Sequence, residues 1–245
     1  MKKIRLLLLC LLMIVSLLLA ACSGSAATDS PTSNTPSDTS GGNGSNADFV
    51  LDPANATGDN ALAAVGYLYE GLVRNQDGAP VGALAESFTV SEDGLDYIFN
   101  LRSGVSFHDG SALNADLVIA NFNRWFDPND INRGSGEFAA WIENFNAFKG
   151  EVTEDGKSKS QYDGIEKVND FTVLVHLNTP DPDFLTKLTK PAFSIASPGS
   201  FAAGDGGSGP YKVSAGSAES LTLEPFSAYW NSAAIPGQGM EVPLK

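Results

Sequence analysis

Carboxylates are plentiful in this sequence, but histidine and cysteine, the other side chains that often carry out acid-base or metal chemistry, occur only twice each. One histidine, His108, directly precedes Asp109 in the stretch GVSFHDGSALNADLV, residues 104–118. A His-Asp pair needs a neighbouring nucleophile or metal to act in catalysis, and the stretch supplies neither. We therefore expect Asp109-Gly110 to form a turn and His108 to be a surface or turn residue. The second histidine, His176, alternates with apolar neighbours and is expected on the solvated face of a strand.

The N-terminus has the pattern of a secretory signal peptide. Three basic residues precede the apolar run at 6–20, and small residues follow it. The tetrapeptide LAAC at 19–22 resembles the bacterial lipobox. The pattern predicts a lipoprotein signal peptide at 1–21 and lipidation of Cys22, which would anchor the chain to the bacterial cell membrane on its extracytoplasmic side, periplasmic or outer. An ordinary secretory signal with a chance cysteine is the alternative.

Composition excludes several classes of function. Cys10 lies inside the signal, so the mature chain would keep only Cys22, and we expect no disulfide, no cysteine nucleophile, no zinc site and no other metal or cofactor. The formal net charge is −14, and it becomes −17 without the three basic residues of the signal. Such an acidic surface repels phosphate backbones and anionic lipids, so no nucleic-acid binding is expected and the lipid would be the only membrane contact.

The predicted elements follow a segment without large apolar side chains. Residues 22–47 are expected to form a lipidated cysteine and a disordered tether, with folded structure from Asp48 onward. In the first predicted helix, either Thr57 or Asp59 could be the cap. Hairpins alternating with helices favour a mixed α/β, or α+β, fold. The predicted helices cover 57–73, 112–128 and 182–191, and the predicted hairpins cover 88–102, 164–178 and 209–226.

The sequence contains a series of short motifs whose identity and order resemble those of one protein family. The chain is similar to the peptide/nickel-type substrate-binding proteins of ABC transporters, also called extracellular solute-binding proteins of family 5. The motifs are LDP (51–53), YEGLV (69–73), ALAESFTVSEDGLDYIFNLRSGVSFHDGSALNADLV (83–118), FDP (126–128), IEKVNDFTVLVHLNTPDPDFL (165–185), PAFSIASP (191–198), GSGPYKV (207–213) and AYW (228–230).

The resemblance implies a fold and a division of the chain. The fold would be the first lobe of a type II periplasmic-binding-protein-like fold of the cluster C type, with the second lobe absent. Residues 48–245 would form this N-terminal lobe. One sub-domain would consist of about 48–72 and 196–245, and an inserted sub-domain would cover about 73–195. Members of the family are longer, so we expect the sequence to be the N-terminal part of a longer receptor.

The resemblance also implies a function. The chain would be a lipid-anchored, monomeric component of an ABC importer that binds oligopeptides or dipeptides in an interlobe cleft and presents them to a membrane permease. An enzyme is not expected. The alternative is a sensor or surface-interaction lipoprotein without a role in transport, built on the remaining lobe.

Three stretches match cleft-lining parts of the family's first lobe. They supply the expected ligand-binding residues: Thr57, Gly58, Asp59, Phe138, Trp141, Ser208 and Gly209. Asp59 could instead cap a helix, and Phe138 and Trp141 could instead be core anchors. The Gly207-Ser208-Gly209-Pro210 turn lacks the Gly-Lys-Ser/Thr ending of a phosphate-binding loop, so its glycines are expected to serve a tight turn near the hinge.

Overall fold

The computed structural model describes residues 51–201 and 205–245. The predicted signal peptide, Cys22 and the predicted tether lie outside these residues. Within the two described ranges, no helix combines the length and the apolar character needed to cross a membrane.

The described chain contains four α-helices and nine β-strands, and all the strand pairings are antiparallel. The helices are α1 (Asp59–Leu68), α2 (Ala115–Phe126), α3 (Ala139–Phe145) and α4 (Phe184–Lys187). The strands are β1 (Val73–Gln76), β2 (Ala79–Gly82), β3 (Ala85–Val90), β4 (Asp96–Leu101), β5 (Tyr162–Asn169), β6 (Thr172–Leu177), β7 (Tyr211–Gly216), β8 (Ser220–Pro225) and β9 (Met240–Pro243).

The central sheet has the strand order β3-β4-β6-β5, which joins two hairpins into one surface. The predicted hairpins at 88–102 and 164–178 are confirmed as β3-β4 and β5-β6. Tyr97 on β4 lies opposite Val175 on β6, and both side chains are buried. Sequence alternation predicts each hairpin, but it does not specify that these two inner strands pair. The third predicted hairpin is confirmed as β7-β8, and β9 extends it to a three-stranded sheet.

Helix α2 covers the inner face of the central sheet by packing against β5 and β6. Asn114 caps this helix, since its side-chain oxygen accepts a hydrogen bond of 2.9 Å from the backbone N–H of Leu117. Val118, Phe122 and Trp125 are buried, as their helical spacing predicts. Helix α2 thereby also positions Arg124, which lies beside Trp125 in the sequence, at the edge of the candidate site.

Two details of the prediction are wrong. Helix α1 begins at Asp59 and has Gly58 as its N-cap, at φ +83°, with no side-chain cap, so neither Thr57 nor Asp59 serves as the predicted cap. Only glycine reaches this backbone conformation without strain. Phe171, which the strand alternation assigns to the buried face, is exposed at the turn before β6.

The buried apolar side chains form two clusters. The larger cluster contains the aromatic group Trp125, Trp141, Phe145, Tyr162 and Phe193, and the ring centroids of Trp141 and Tyr162 are 5.0 Å apart. The smaller cluster consists of Leu51, Ala64, Val65, Leu68, Tyr69, Ala196, Leu221, Leu223 and Val242. The smaller cluster thus combines the first part of the described chain with the last. This arrangement supports the predicted division into sub-domains, which stays a prediction.

Candidate functional site

Two neighbouring cavities share one wall. We call the larger one, of about 740 Å³, the arginine cavity, because Arg124 and Arg133 line it. We call the smaller one, of about 600 Å³, the aromatic cavity, because Phe138 lines it. Their shared wall consists of Asn55, Ala56 and Thr57 from the loop before α1 and of Ser135 and Gly136 from the loop before α3.

The side chain of Asn55 holds this wall together. Its Oδ1 accepts a hydrogen bond of 3.0 Å from the backbone N–H of Phe138, and its Nδ2 donates to Asp52 at 2.8 Å. A Cβ on Gly136 would lie only 2.0 Å from Nδ2 of Asn55, so the two loops approach closely because residue 136 is glycine. Asn55 was not identified from the sequence, and its only signal is its position two residues after the LDP motif.

The shared wall leaves main-chain groups available. Among the described residues, no hydrogen bond engages the backbone groups of Thr57, Ser135, Gly136 or Glu137. Thr57, Ser135 and Glu137 are also exposed. Unpaired backbone N–H and C=O groups at the rim of a cavity can bind an extended ligand main chain.

The arginine cavity has an excess of positive charge in an otherwise acidic protein. Arg124 has a side chain that is only 2% exposed, and it forms an ion pair with Asp52. Arg133 lies over the Phe138 ring, with its guanidinium carbon 4.2 Å from the ring centroid. Its Nη1 donates to the backbone oxygens of Arg124 and Trp125 at 2.9 and 3.0 Å, near the end of α2. Burial, and next the positive charge of Arg124, lower the pKa of Arg133.

Of the predicted ligand-binding residues in the first two stretches, some line a cavity in the structure and others do not. Thr57, Gly58 and Phe138 all line the aromatic cavity. Phe138 is nevertheless buried, with only 1% of its surface exposed, and its φ is +53° just before α3. Asp59 is exposed in the first turn of α1 and lines neither cavity. Trp141 lies in the core, where its Nε1 donates to the backbone oxygen of Ala147 at 3.1 Å, so its position is that of the core anchor considered as the alternative.

The third predicted stretch lies away from both cavities, against the end of α1. Ser208 is fully buried and its hydroxyl donates to Glu70 at 3.3 Å. The backbone N–H of Gly209 donates to the backbone oxygen of Leu68 at 2.8 Å. A Cβ on Gly209 would lie 2.6 Å from the backbone oxygen of Tyr67, so the glycine allows this close packing.

Glu70 is the centre of a buried hydrogen-bond network that the sequence did not reveal. Its carboxylate accepts from the Tyr229 hydroxyl and from Nε1 of Trp230, both at 2.8 Å, and also from Ser208. Burial raises the pKa of Glu70, although the three hydrogen bonds act in the opposite direction. The network ties the YEGLV and AYW motifs together, far apart in the sequence.

His108 lies in a turn, which is one of its two predicted places, but its side chain is not at the surface, since it is only 2% exposed. Its Nδ1 lies 2.5 Å from Asp205, and its Nε2 lies 3.1 Å from the backbone oxygen of Gly209. A carbonyl oxygen only accepts, so Nε2 carries a proton and donates to it. Both ring nitrogens are therefore engaged in holding the 205–209 loop. His176 has its predicted place on the outer face of β6, where its Nδ1 lies 2.7 Å from Asp96.

The sequence and the fold match one family. Residues 79–240 match the model of the bacterial extracellular solute-binding proteins, family 5, middle region, and the chain belongs to this family. The expected resemblance is therefore confirmed. The mixed α/β fold is also that of periplasmic binding proteins: the structure of MppA, a periplasmic murein tripeptide-binding protein in its unliganded open form, matches with a TM-score of 0.62 at 25% identity. This match covers 80% of the chain and 39% of MppA.

Two curated relatives carry names of different ligands. The chain is 32% identical to the glutathione-binding protein GsiB of Pectobacterium atrosepticum, over 76% of the chain and 34% of GsiB. It is 33% identical to heme-binding protein A of Haemophilus influenzae, over 74% of the chain and 34% of that protein. The chain thus spans about a third of the length of these relatives.

Proposed function

We propose that the chain is a substrate-binding component of an ABC importer and that it takes oligopeptides or dipeptides in the aromatic cavity. The observation that carries the proposal is the main chain of Thr57, Gly136 and Glu137, which lines the same cavity as Phe138 and forms no hydrogen bond with the part of the chain that the structure describes. Peptides bind well to such edges, because main-chain hydrogen bonds give affinity without requiring one sequence. The family match and the names of GsiB and MppA favour a peptide-like solute.

The proposal also covers the location of the chain in the cell and its two partners, the membrane and a permease. Lipidation at Cys22 would anchor the chain to the bacterial cell membrane, and residues 22–47 would let the folded part move near it. A permease in the same membrane would receive the solute. We propose a monomer for this role, with solute binding rather than catalysis as its activity.

Peptide binding is tested with matched ligands that differ only in main-chain donors. The mature chain is equilibrated with a pool of tri- to pentapeptides, and the retained peptides are identified by mass spectrometry. The best peptide is then compared with its N-methylated copy, which lacks the donors that would pair with the cleft wall. We expect the copy to bind about tenfold more weakly for each lost hydrogen bond to the wall.

Haem is tested as the alternative solute, since one relative is named for it. A spectral titration with haem runs in parallel with the peptide experiment. Equal binding of the peptide and its N-methylated copy would contradict main-chain recognition. Tight binding of haem without retention of any peptide would show that the solute class is wrong.

A further inference from the structure

The positive charge of the arginine cavity is not needed to balance the acids around it. The carboxylate of Asp52 is already satisfied, because it pairs with Arg124 and accepts from the backbone N–H of Ala54 and from Asn55. Arg133 forms no ion pair with any described carboxylate. Its sequence neighbours are engaged elsewhere: Asp127 pairs with Lys149 at 2.7 Å.

Asp130, the other acid near Arg133, accepts a hydrogen bond from the backbone N–H of Asn132 at 2.8 Å. Asp127 and Asp130 still attract the Arg133 guanidinium and act to raise its pKa, but neither lines the cavity. The lining itself contains two guanidinium groups and one carboxylate, and so it carries one net positive charge. The hydrogen-bonding capacity of Arg124 is also not fully used, since its buried Nε has no hydrogen-bond partner among the described residues. Buried donors without partners are rare in folded proteins and call for an explanation.

The surroundings would strengthen an electrostatic interaction with a ligand. The Phe138 ring lies within 4.2 Å of Arg133 and 5.3 Å of Arg124, and Phe201 lies 4.1 Å from Arg124. These rings exclude water from one side of each guanidinium, and charge-assisted hydrogen bonds are stronger where water is excluded. Phe138 also lines the aromatic cavity, so one residue contacts the arginines of the first cavity and lines the second.

We propose that the arginine cavity binds a carboxylate group of the solute whose remainder occupies the aromatic cavity. The two cavities share the wall formed by Asn55, Thr57 and Gly136, which places them side by side. Arg133 supplies a positive charge that pairs with no carboxylate of the cavity lining, and its planar guanidinium suits a carboxylate. This inference rests on the proposed function, and it narrows the solute class to anionic molecules such as peptides with a free C-terminal or acidic carboxylate.

The test uses a small anion, so that it does not depend on the aromatic cavity. Trifluoroacetate is added to the mature chain at constant ionic strength, and its ¹⁹F resonance is observed; neutral trifluoroacetamide is the matched control. We expect broadening of the trifluoroacetate signal only. In the Arg133→Gln variant the affinity should fall about tenfold, as for one lost charge-assisted hydrogen bond. The Arg102→Gln variant, which removes an arginine outside the cavity that stacks on Trp230, should bind as the wild type does.

A measurement on the wild type alone covers the case in which Arg133→Gln does not fold. Trifluoroacetate should shift the backbone amide resonances of residues 131–136 more than those of other residues. Shifts elsewhere, equal broadening by trifluoroacetamide, or no binding would overturn the carboxylate site. If trifluoroacetate binds as expected while no peptide is retained, the carboxylate site stands and the peptide proposal fails. If peptides bind and trifluoroacetate does not, the reverse holds.

Discussion

Gly136 lies against the side chain of Asn55 so closely that a Cβ at residue 136 would overlap all three terminal atoms of the amide, at 2.0 to 2.3 Å. The same amide holds Phe138 and Asp52 through its two hydrogen bonds. One pair of residues thus fixes the spacing of the two loops that form the wall between the cavities.

Substitution of Gly136 by alanine should therefore disrupt the wall. The new methyl group would displace Asn55 and break both of its hydrogen bonds, at a cost of about 2 kcal/mol in the free energy of unfolding. Peptide affinity should fall as well. The control is Gly66→Ala in α1, where a Cβ meets nothing within 4 Å and helix propensity predicts a gain of about 1 kcal/mol. Urea unfolding measures both variants, and equal stability of the two would contradict this role of Gly136.

The buried pair of Arg124 and Asp52 should behave as a unit. Arg124→Met leaves Asp52 without its cation and should cost about 3 kcal/mol, since the remaining charge is partly buried. The double variant with Asp52→Leu removes that charge too and should be more stable than the sum of the single effects predicts. A double-mutant cycle from urea unfolding measures the coupling, and additivity would show that the ion pair does not link α2 to the LDP loop.

The Glu70 network should make stability depend on pH. The pKa of Glu70 is raised in the folded chain above its ordinary value of 4.5. As pH rises above 4.5, the unfolded chain releases this proton before the folded chain does, so the free energy of unfolding falls until the raised pKa has been passed. The side chain in Glu70→Gln is neutral, like protonated Glu70. The free energy of unfolding of this variant therefore lacks the decrease that ionisation of Glu70 causes.

The free energy of unfolding of Glu70→Gln, measured relative to that of the wild type, should therefore increase from pH 4 to pH 8. Urea unfolding at each pH measures it, with the exposed Glu241→Gln on β9 as the control. A constant difference between Glu70→Gln and the wild type would show that Glu70 titrates normally, while a decreasing difference would mean that its pKa is lowered.

Membrane attachment should depend on a single cysteine. In cells grown with radiolabelled palmitate, we expect the wild type to carry label and to sediment with membranes. Cys22→Ser should lose the label, because the thiol that would carry the lipid is absent. Cys10→Ser is the matched control and should leave labelling unchanged. Labelling that persists in Cys22→Ser would contradict the lipobox interpretation.

The sequence by itself determined the local structure and the family. Capping by Asn114, the alternation along β4 and β6, and the turn residues are local signals, because each depends on neighbours a few positions away. The ordered motifs were specific enough to indicate the family that residues 79–240 match. The resemblance also placed Thr57, Gly58 and Phe138 at one site, and they line one cavity, but their role in ligand binding stays a prediction.

The tertiary structure alone decided which distant residues meet. The pairing of β4 with β6, the burial of His108 against Asp205, and the network around Glu70 join residues that are 72 or more positions apart. Asn55 and Arg133 have no distinguishing local pattern, and they gain a role only because two loops 83 residues apart are tied at the shared wall. Such contacts depend on packing geometry and on desolvation, which follow from the complete fold rather than from any short stretch of sequence.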